Sequence, residues 1–174
     1  MFKVHDVVCY ENVGICEIID IKKMSIMNQA PKEYYLMEKL YDQCELTIIK
    51  TPVDTSSIIR NIISKEDAEK MIESLPEIEP IMIDDVKKRQ SAFQKLIDSW
   101  DLFEWAKVIY TIYEMKHQHE VTDQKKPFLY TDMKYFERAE KLFNQEIAYA
   151  LQIDENEVSD YIASVVEKNR WAKV

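Results

Sequence analysis

Two hydrophobic periods divide this chain. Through Ile63 the apolar residues come in short runs: Val7-Val8, then Ile15, Ile18-Ile19 and Ile21, then Tyr34-Tyr35-Leu36-Met37, then Leu46-Thr47-Ile48-Ile49. Short runs rich in β-branched and aromatic residues, separated by polar breaks, are the pattern of strands. The breaks are Glu11-Asn12-Val13-Gly14, the turn signal Asn28-Gln29-Ala30-Pro31, and the tight connection Tyr41-Asp42-Gln43. The last run, over residues 45–51, stops at Pro52, which cannot continue a central ladder. Four or five strands at this spacing predict a small, strongly bent, barrel-like sheet.

From Ser64 the period becomes helical. Ser64 and Asp67 form a capping-box pattern ahead of Ala68, Met71, Ile72 and Leu75. Pro76 and Pro80 bracket a linker. A second helix carries Val86, Phe93, Leu96 and Ile97 inward. A third starts near Asp101 and buries Leu102, Trp105, Ala106, Ile109, Ile112 and Tyr113. A fourth starts near Thr131 and buries Tyr135, Phe136, Ala139, Leu142, Phe143, Ile147 and Leu151. A fifth opens at Asp154 and Glu157, with Val158, Tyr161, Ile162, Val165 and Val166 facing inward. The expectation is an α+β chain of two domains, a small bent β domain over 1–63 and an all-helical domain of about five helices over 64–174.

Composition narrows the chemistry. Gly14 is the only glycine of 174 residues, where ordinary usage would supply roughly twelve. Its place between two strand runs predicts a sharp bend that needs positive φ or a close backbone approach. One glycine cannot build a phosphate-cradling loop. Cys9, Cys16 and Cys44 are odd in number and lack C-x-x-C spacing, which argues for reduced thiols over a disulfide framework or zinc site. His117 and His119 are two apart, so on a helix they diverge and hold a metal poorly. No carboxylate pair stands out either. The reading is non-enzymatic, without metal or cofactor. No apolar run is long enough to span a membrane, and the N-terminus lacks a secretion pattern, so a cytoplasmic protein is expected.

The net charge is −9. Seven Lys/Arg stand against nine Asp/Glu through Ile63, and sixteen against twenty-three beyond it. Neither part has the basic excess of a protein that holds nucleic acid by charge alone. Contact with DNA must therefore be local, or borrow affinity from a partner.

Seven segments in order resemble the CarD/CdnL family of bacterial transcription regulators, whose first domain also occurs in transcription-repair coupling factors. They are Phe2-Lys3-Val4-His5-Asp6-Val7-Val8-Cys9-Tyr10, then Val13-Gly14-Ile15-Cys16, then Lys32-Glu33-Tyr34-Tyr35-Leu36. Leu46-Thr47-Ile48-Ile49-Lys50-Thr51-Pro52-Val53-Asp54 and Ile59-Arg60-Asn61-Ile62-Ile63-Ser64-Lys65-Glu66-Asp67-Ala68 follow. In the helical half, Ser99-Trp100-Asp101 stands where the family has S-G-D, and Glu137-Arg138-Ala139-Glu140-Lys141-Leu142 where it has E-R-A-R-x-L. The likeness runs from residue 1 to about 165. His5 and Trp100 occupy positions where the family carries glycine.

The resemblance implies a Tudor-like first domain that binds the β subunit of RNA polymerase through an exposed edge strand. The residues so implicated are Leu46, Thr47, Ile48, Ile49, Lys50 and Thr51, with Lys22 and Lys23 as basic contacts. Sheet core and solvated face is the alternative reading of the same strand. The family's helical domain reaches promoter DNA at the upstream edge of the transcription bubble, where a tryptophan wedges into the minor groove. Here Val86 stands at the wedge position, followed by the basic Lys87, Lys88 and Arg89. Trp100 is either a relocated wedge or a packing aromatic. Lys134 and Arg138, continued by Lys141, form either a phosphate-facing stripe or a solvated helix face. The implied function is a polymerase-bound regulator of open-complex stability with DNA contact that is not sequence-specific. Its rivals are a polymerase-bound adaptor without DNA contact, and a sensor whose aromatic helical core holds a small molecule.

Overall fold

The computed structural model describes residues 1–11, 13–25, 30–41, 47–54, 59–121 and 130–172, with backbone alone at 119–121 and 167–172. They form two compact units, Met1–Ile63 and Ser64–Val174. The first holds β1 (Val7–Tyr10), β2 (Gly14–Met24), β3 (Lys32–Lys39), β4 (Ile49–Pro52) and β5 (Ile59–Asn61). All pairings are antiparallel, in the order β4-β3-β2-β1-β5. β4 and β5 therefore lie at opposite edges, and the expected barrel is an open sheet among the described residues. The strand expected over 45–51 begins at Ile49 and runs on into Pro52, which an edge position tolerates. Residues 42–46, Leu46 among them, lie outside the described residues, as do Asn28 and Gln29 of the expected turn.

Local chemistry explains the path of the first hairpin. Tyr10 pairs with Gly14, and the Val13 amide closes the turn by donating to the Tyr10 carbonyl at 3.1 Å. Gly14 takes φ 101°, a value a side chain resists. Further along β2 the ladder steps from Ile18 opposite Met37 to Asp20 opposite Leu36, so Ile19 is an extra, bulged residue. The bulge lets Ile18 and Ile21, three apart in sequence, pack on the same core. That core is Val8, Cys16, Ile18, Tyr35, Met37 and Ile59, flanked by Phe2, Ile21, Ile49 and Val53. Cys9, Ile15, Tyr34 and Leu36 are buried as well, so both sheet faces are covered in this unit.

The second unit holds α1 (Lys65–Ser74), α2 (Val86–Ile97), α3 (Leu102–Val121), α4 (Tyr130–Leu151) and α5 (Val158–Ala172), with 3₁₀ turns at Leu75–Glu77 and Glu155–Glu157. Four of these starts have a chemical cause in view. The Ser64 hydroxyl accepts from the Asp67 amide at 3.1 Å, and Asp85 accepts from the Lys88 amide at 2.8 Å. Asp101 accepts from the Phe103 and Glu104 amides, and Asp154 with Glu157 completes a full capping box. The helices pack α3 on α4, α1 on α4 and α5, and α2 on α3 and α4. Phe93, Ile97, Trp105, Val108, Ile112, Phe143 and Ile147 fill the core. Tyr113, expected inside, is 59% exposed. The segment bracketed by Pro76 and Pro80 is docked rather than loose. Ile78 is buried, and the Ile81 amide donates to the hydroxyl of the buried Thr111 at 3.0 Å. Among the described residues no helix is long and apolar enough to cross a membrane.

Burial pushes the Cys16 thiol up to about 12 from an ordinary value near 9, with Lys39 opposing. A raised pKa means the unfolded chain loses this proton first, so stability is full below pH 9 and declines as pH climbs toward 12. In urea melts between pH 9 and 11, wild-type protein is expected to lose up to about 1.4 kcal/mol per pH unit more than Cys16→Ala.

Candidate functional site

The free side of β4 is set by its register. β4 pairs with β3 as Ile49–Met37, Lys50–Leu36, Thr51–Tyr35 and Pro52–Tyr34. The Val53 amide donates to the Glu33 carbonyl at 2.9 Å, which makes that position a hydrogen-bonded pair. Antiparallel ladders alternate, so Thr51 and Ile49 also bond inward while Lys50 and Pro52 point their backbone groups outward. Pro52 has no N–H. The outward groups of β4 are thus one donor at Lys50 and the carbonyls of Lys50 and Pro52.

Side chains sort along the same register. Thr51 is 2% exposed and joins the core, so it offers no side chain to a partner. Lys50, Thr47 and Ile48 are exposed, Ile48 at 47%, and Ile49 is half-buried. Cross-strand pairing puts Asp20, Leu36 and Lys50 in one row and Lys22, Tyr34 and Pro52 in the next, all on one face. Lys22 is not a free cation: its ammonium lies 2.7 Å from Asp20, and that hydrogen bond, with one from the Ile21 amide, holds the Asp20 carboxyl below its usual range. Lys23, beside Lys22 and opposite Glu33, is exposed. Lys22 and Lys50 therefore share a face, and Lys23 lies on the adjacent row.

In the helical unit the residues divide differently. Arg89, grouped by sequence with the phosphate-facing lysines, is 4% exposed and belongs to the core. Its guanidinium grips the fully buried Asp132 of α4, Nε to Oδ1 at 3.3 Å and Nη2 to Oδ2 at 2.9 Å, and Nη1 donates to the Ile83 carbonyl at 2.9 Å. Its planar fork is spent there and presents nothing to a phosphate. Lys87 and Lys88, in the first turn of α2, are exposed, and Val86 is half-buried. Gln90 donates to Thr131 at 2.9 Å, so the starts of α2 and α4 are held side by side. Lys87 lies one turn before Gln90 on α2, and Lys134 one turn after Thr131 on α4.

Trp100 and Arg138 sit at the other end of α2, about 18 Å along its axis. Arg138 is half-buried and faces Asp98 at 3.9 Å. On the same helix, burial first and Glu137 second push the Glu140 carboxyl above its usual range. Trp100 is half-buried with φ 64°, and its amide reaches the Ile97 carbonyl at 3.5 Å. It occupies the left-handed position that ends α2, which is why glycine suits this site. The expected set is thus two groups at opposite ends of one helix.

Sequence reading missed Tyr130. It is 77% exposed at the first turn of α4, with the Lys134 ammonium 5.5 Å above its ring. The signal was an aromatic one residue ahead of the expected helix start, on no apolar face. It also missed Asp132, whose lone carboxylate on an otherwise ordinary first turn gave no hint of burial.

No curated protein matches the chain. Two family models do. Residues 2–63 match the CarD-like/TRCF RID domain, and residues 70–163 match the CarD C-terminal domain.

Breaking the buried pair from one side leaves a charge without its partner. Asp132→Ala is expected to cost about 3–5 kcal/mol in urea unfolding, while Lys87→Ala and Lys88→Ala stay within about 0.5 kcal/mol. Combining Arg89→Met with Asp132→Leu is expected to recover most of the loss.

Proposed function

The chain belongs to the CarD family, and we propose that it docks on the β subunit of RNA polymerase by lending the free edge of β4 to a strand of that subunit. Members of this family are non-enzymatic transcription regulators that interact with RNA polymerase. The observation that carries the proposal is the edge itself: Lys50 and Pro52 turn backbone groups away from β3, beside the exposed Ile48 and Lys50 side chains. An added strand satisfies those groups, and the side chains set specificity. Lys50, Lys23 and, less freely, Lys22 suit acidic residues around the docking strand.

The helical unit then contacts promoter DNA at the upstream edge of the bubble, through Lys87, Lys88 and Lys134 with Tyr130 among them. Tethering to polymerase raises the effective DNA concentration, which is how an acidic protein can work with two or three phosphate contacts. Val86 is half-buried at the start of α2 and Trp100 half-buried beyond its end, so neither stands out as a wedge. The contact is therefore electrostatic, blind to sequence, and acts on open-complex lifetime. Burial of Arg89 gives a specific ground for a second reading, in which the helical unit recruits another protein and leaves DNA alone.

Lys50→Pro removes the single outward donor without touching the inward ladder. It is expected to weaken binding to an isolated β-subunit fragment at least tenfold, with Lys50→Ala weakening it less and both melting near wild type. Equal binding by Lys50→Pro and wild type would sink the edge model. Replacing Lys87 and Lys88 by Ala is expected to shorten promoter-complex lifetime with β binding unchanged, and to flatten its log–log salt dependence by about 2. An unaltered lifetime selects the adaptor.

A further inference from the structure

Between them α3 and α4 line an open-mouthed cavity of about 180 Å³ within the helical unit. Ile112, Tyr113, Lys116 and His117 line it from two successive turns of α3, and Met133 and Phe136 from one turn of α4. The chemistry of the lining is uneven. Ile112 is 1% exposed and Met133 and Phe136 are half-buried, so the inner wall is apolar. Tyr113, Lys116 and His117 are exposed at the mouth. Among the described residues no carboxylate lines the cavity, in a chain whose net charge is −9. Neither Lys116 nor His117 is committed to an ion pair or hydrogen bond among the described residues.

Size and charge together select a class of ligand. A dry pocket of about 150 Å³ lined by aliphatic and aromatic side chains is large enough for benzene. The space here takes one six-membered ring and a short arm. A buried apolar body with one polar group held at the rim is the ordinary division of labour in small-molecule sites. The polar groups at this rim are a Lys ammonium, a point charge with three donors, and an imidazole. We propose that this cavity binds a small organic carboxylate, its ring or branched chain against Ile112, Met133 and Phe136 and its carboxylate at Lys116 and His117. The site stands independently of the polymerase and DNA surfaces, since it shares no residue with them.

The probe is 3-phenylpropionate, added to the full chain and compared with its neutral amide. Binding of the acid is expected to move NMR signals of Ile112, Met133 and Phe136. At tenfold excess over Kd the melting temperature is expected to rise by about 3–6 °C. The amide is expected to bind at least tenfold more weakly. Lys116→Glu, a surface change that leaves the unliganded melt intact, is expected to weaken the acid at least tenfold, and Met133→Trp to fill the cavity and abolish binding. Equal binding of acid and amide, or no effect of Lys116→Glu, overturns the carboxylate assignment. Absence of shifts at millimolar acid overturns the site. An acidic heptapeptide with a central phenylalanine that binds more tightly than the acid assigns the cavity to a protein side chain and overturns the proposal equally.

Discussion

The Arg89–Asp132 pair is the constraint around which the helical unit is arranged. Two opposite charges out of water are tolerable only when geometry is close and every remaining donor is met. Here the fork meets both carboxylate oxygens and the Ile83 carbonyl, so three segments of chain converge on one guanidinium. The consequence is positional. The first turns of α2 and α4 cannot slide past one another without stranding a charge. Lys87, Lys88, Tyr130 and Lys134 inherit their spacing from that lock. A residue expected to touch DNA instead fixes where its neighbours stand.

The sequence was most legible where one local interaction decides the outcome. Ser64, Asp101 and Asp154 announced helix starts because a side-chain oxygen within three residues of unpaired amides has few other uses. Gly14 announced a positive φ because the chain spends no other glycine. It was least legible where the outcome depends on residues far apart. β5 is only three residues long and owes its existence to pairing with β1, so Ile59–Asn61 carried no strand signal of its own. Tyr113 fits a helical apolar stripe, but α3 faces an open cavity at that turn instead of a packed neighbour. Arg89 follows two exposed lysines, and only the partner 43 residues away turns it inward. At the candidate interfaces, sequence pointed to an edge strand and to lysines that are exposed, and missed the register, the tyrosine and the division across α2.

Scarcity of glycine leaves another trace. His5, Trp100 and Gln152 take φ of 72°, 64° and 58°, all in the left-handed region. Trp100 closes α2. Gln152 closes α4 in a Schellman arrangement, with Ile153 donating to the Ala148 carbonyl and Gln152 to that of Tyr149. His5 is held by the hydrogen bond its backbone N–H donates to the Ile18 carbonyl at 2.7 Å and by a contact of its ring with Glu17 at 2.9 Å. Each such residue costs about 1 kcal/mol or more relative to a relaxed backbone. The backbone shape is therefore preserved by surrounding bonds in places where the residue type no longer favours it.

The proline at the end of β4 has a bearing on solubility. A bare sheet edge is a template for copies of itself, and many proteins shield theirs with bulges or covering loops. Here, across Ile49–Pro52, the outward side offers a single N–H, so two molecules meeting edge to edge would face mostly acceptor against acceptor. They would also bring the positive charges of two Lys50 side chains together. The same edge stays open to a strand that carries donors and negative charge. Discrimination between self and partner is thus written into four residues, at no cost to the inward ladder.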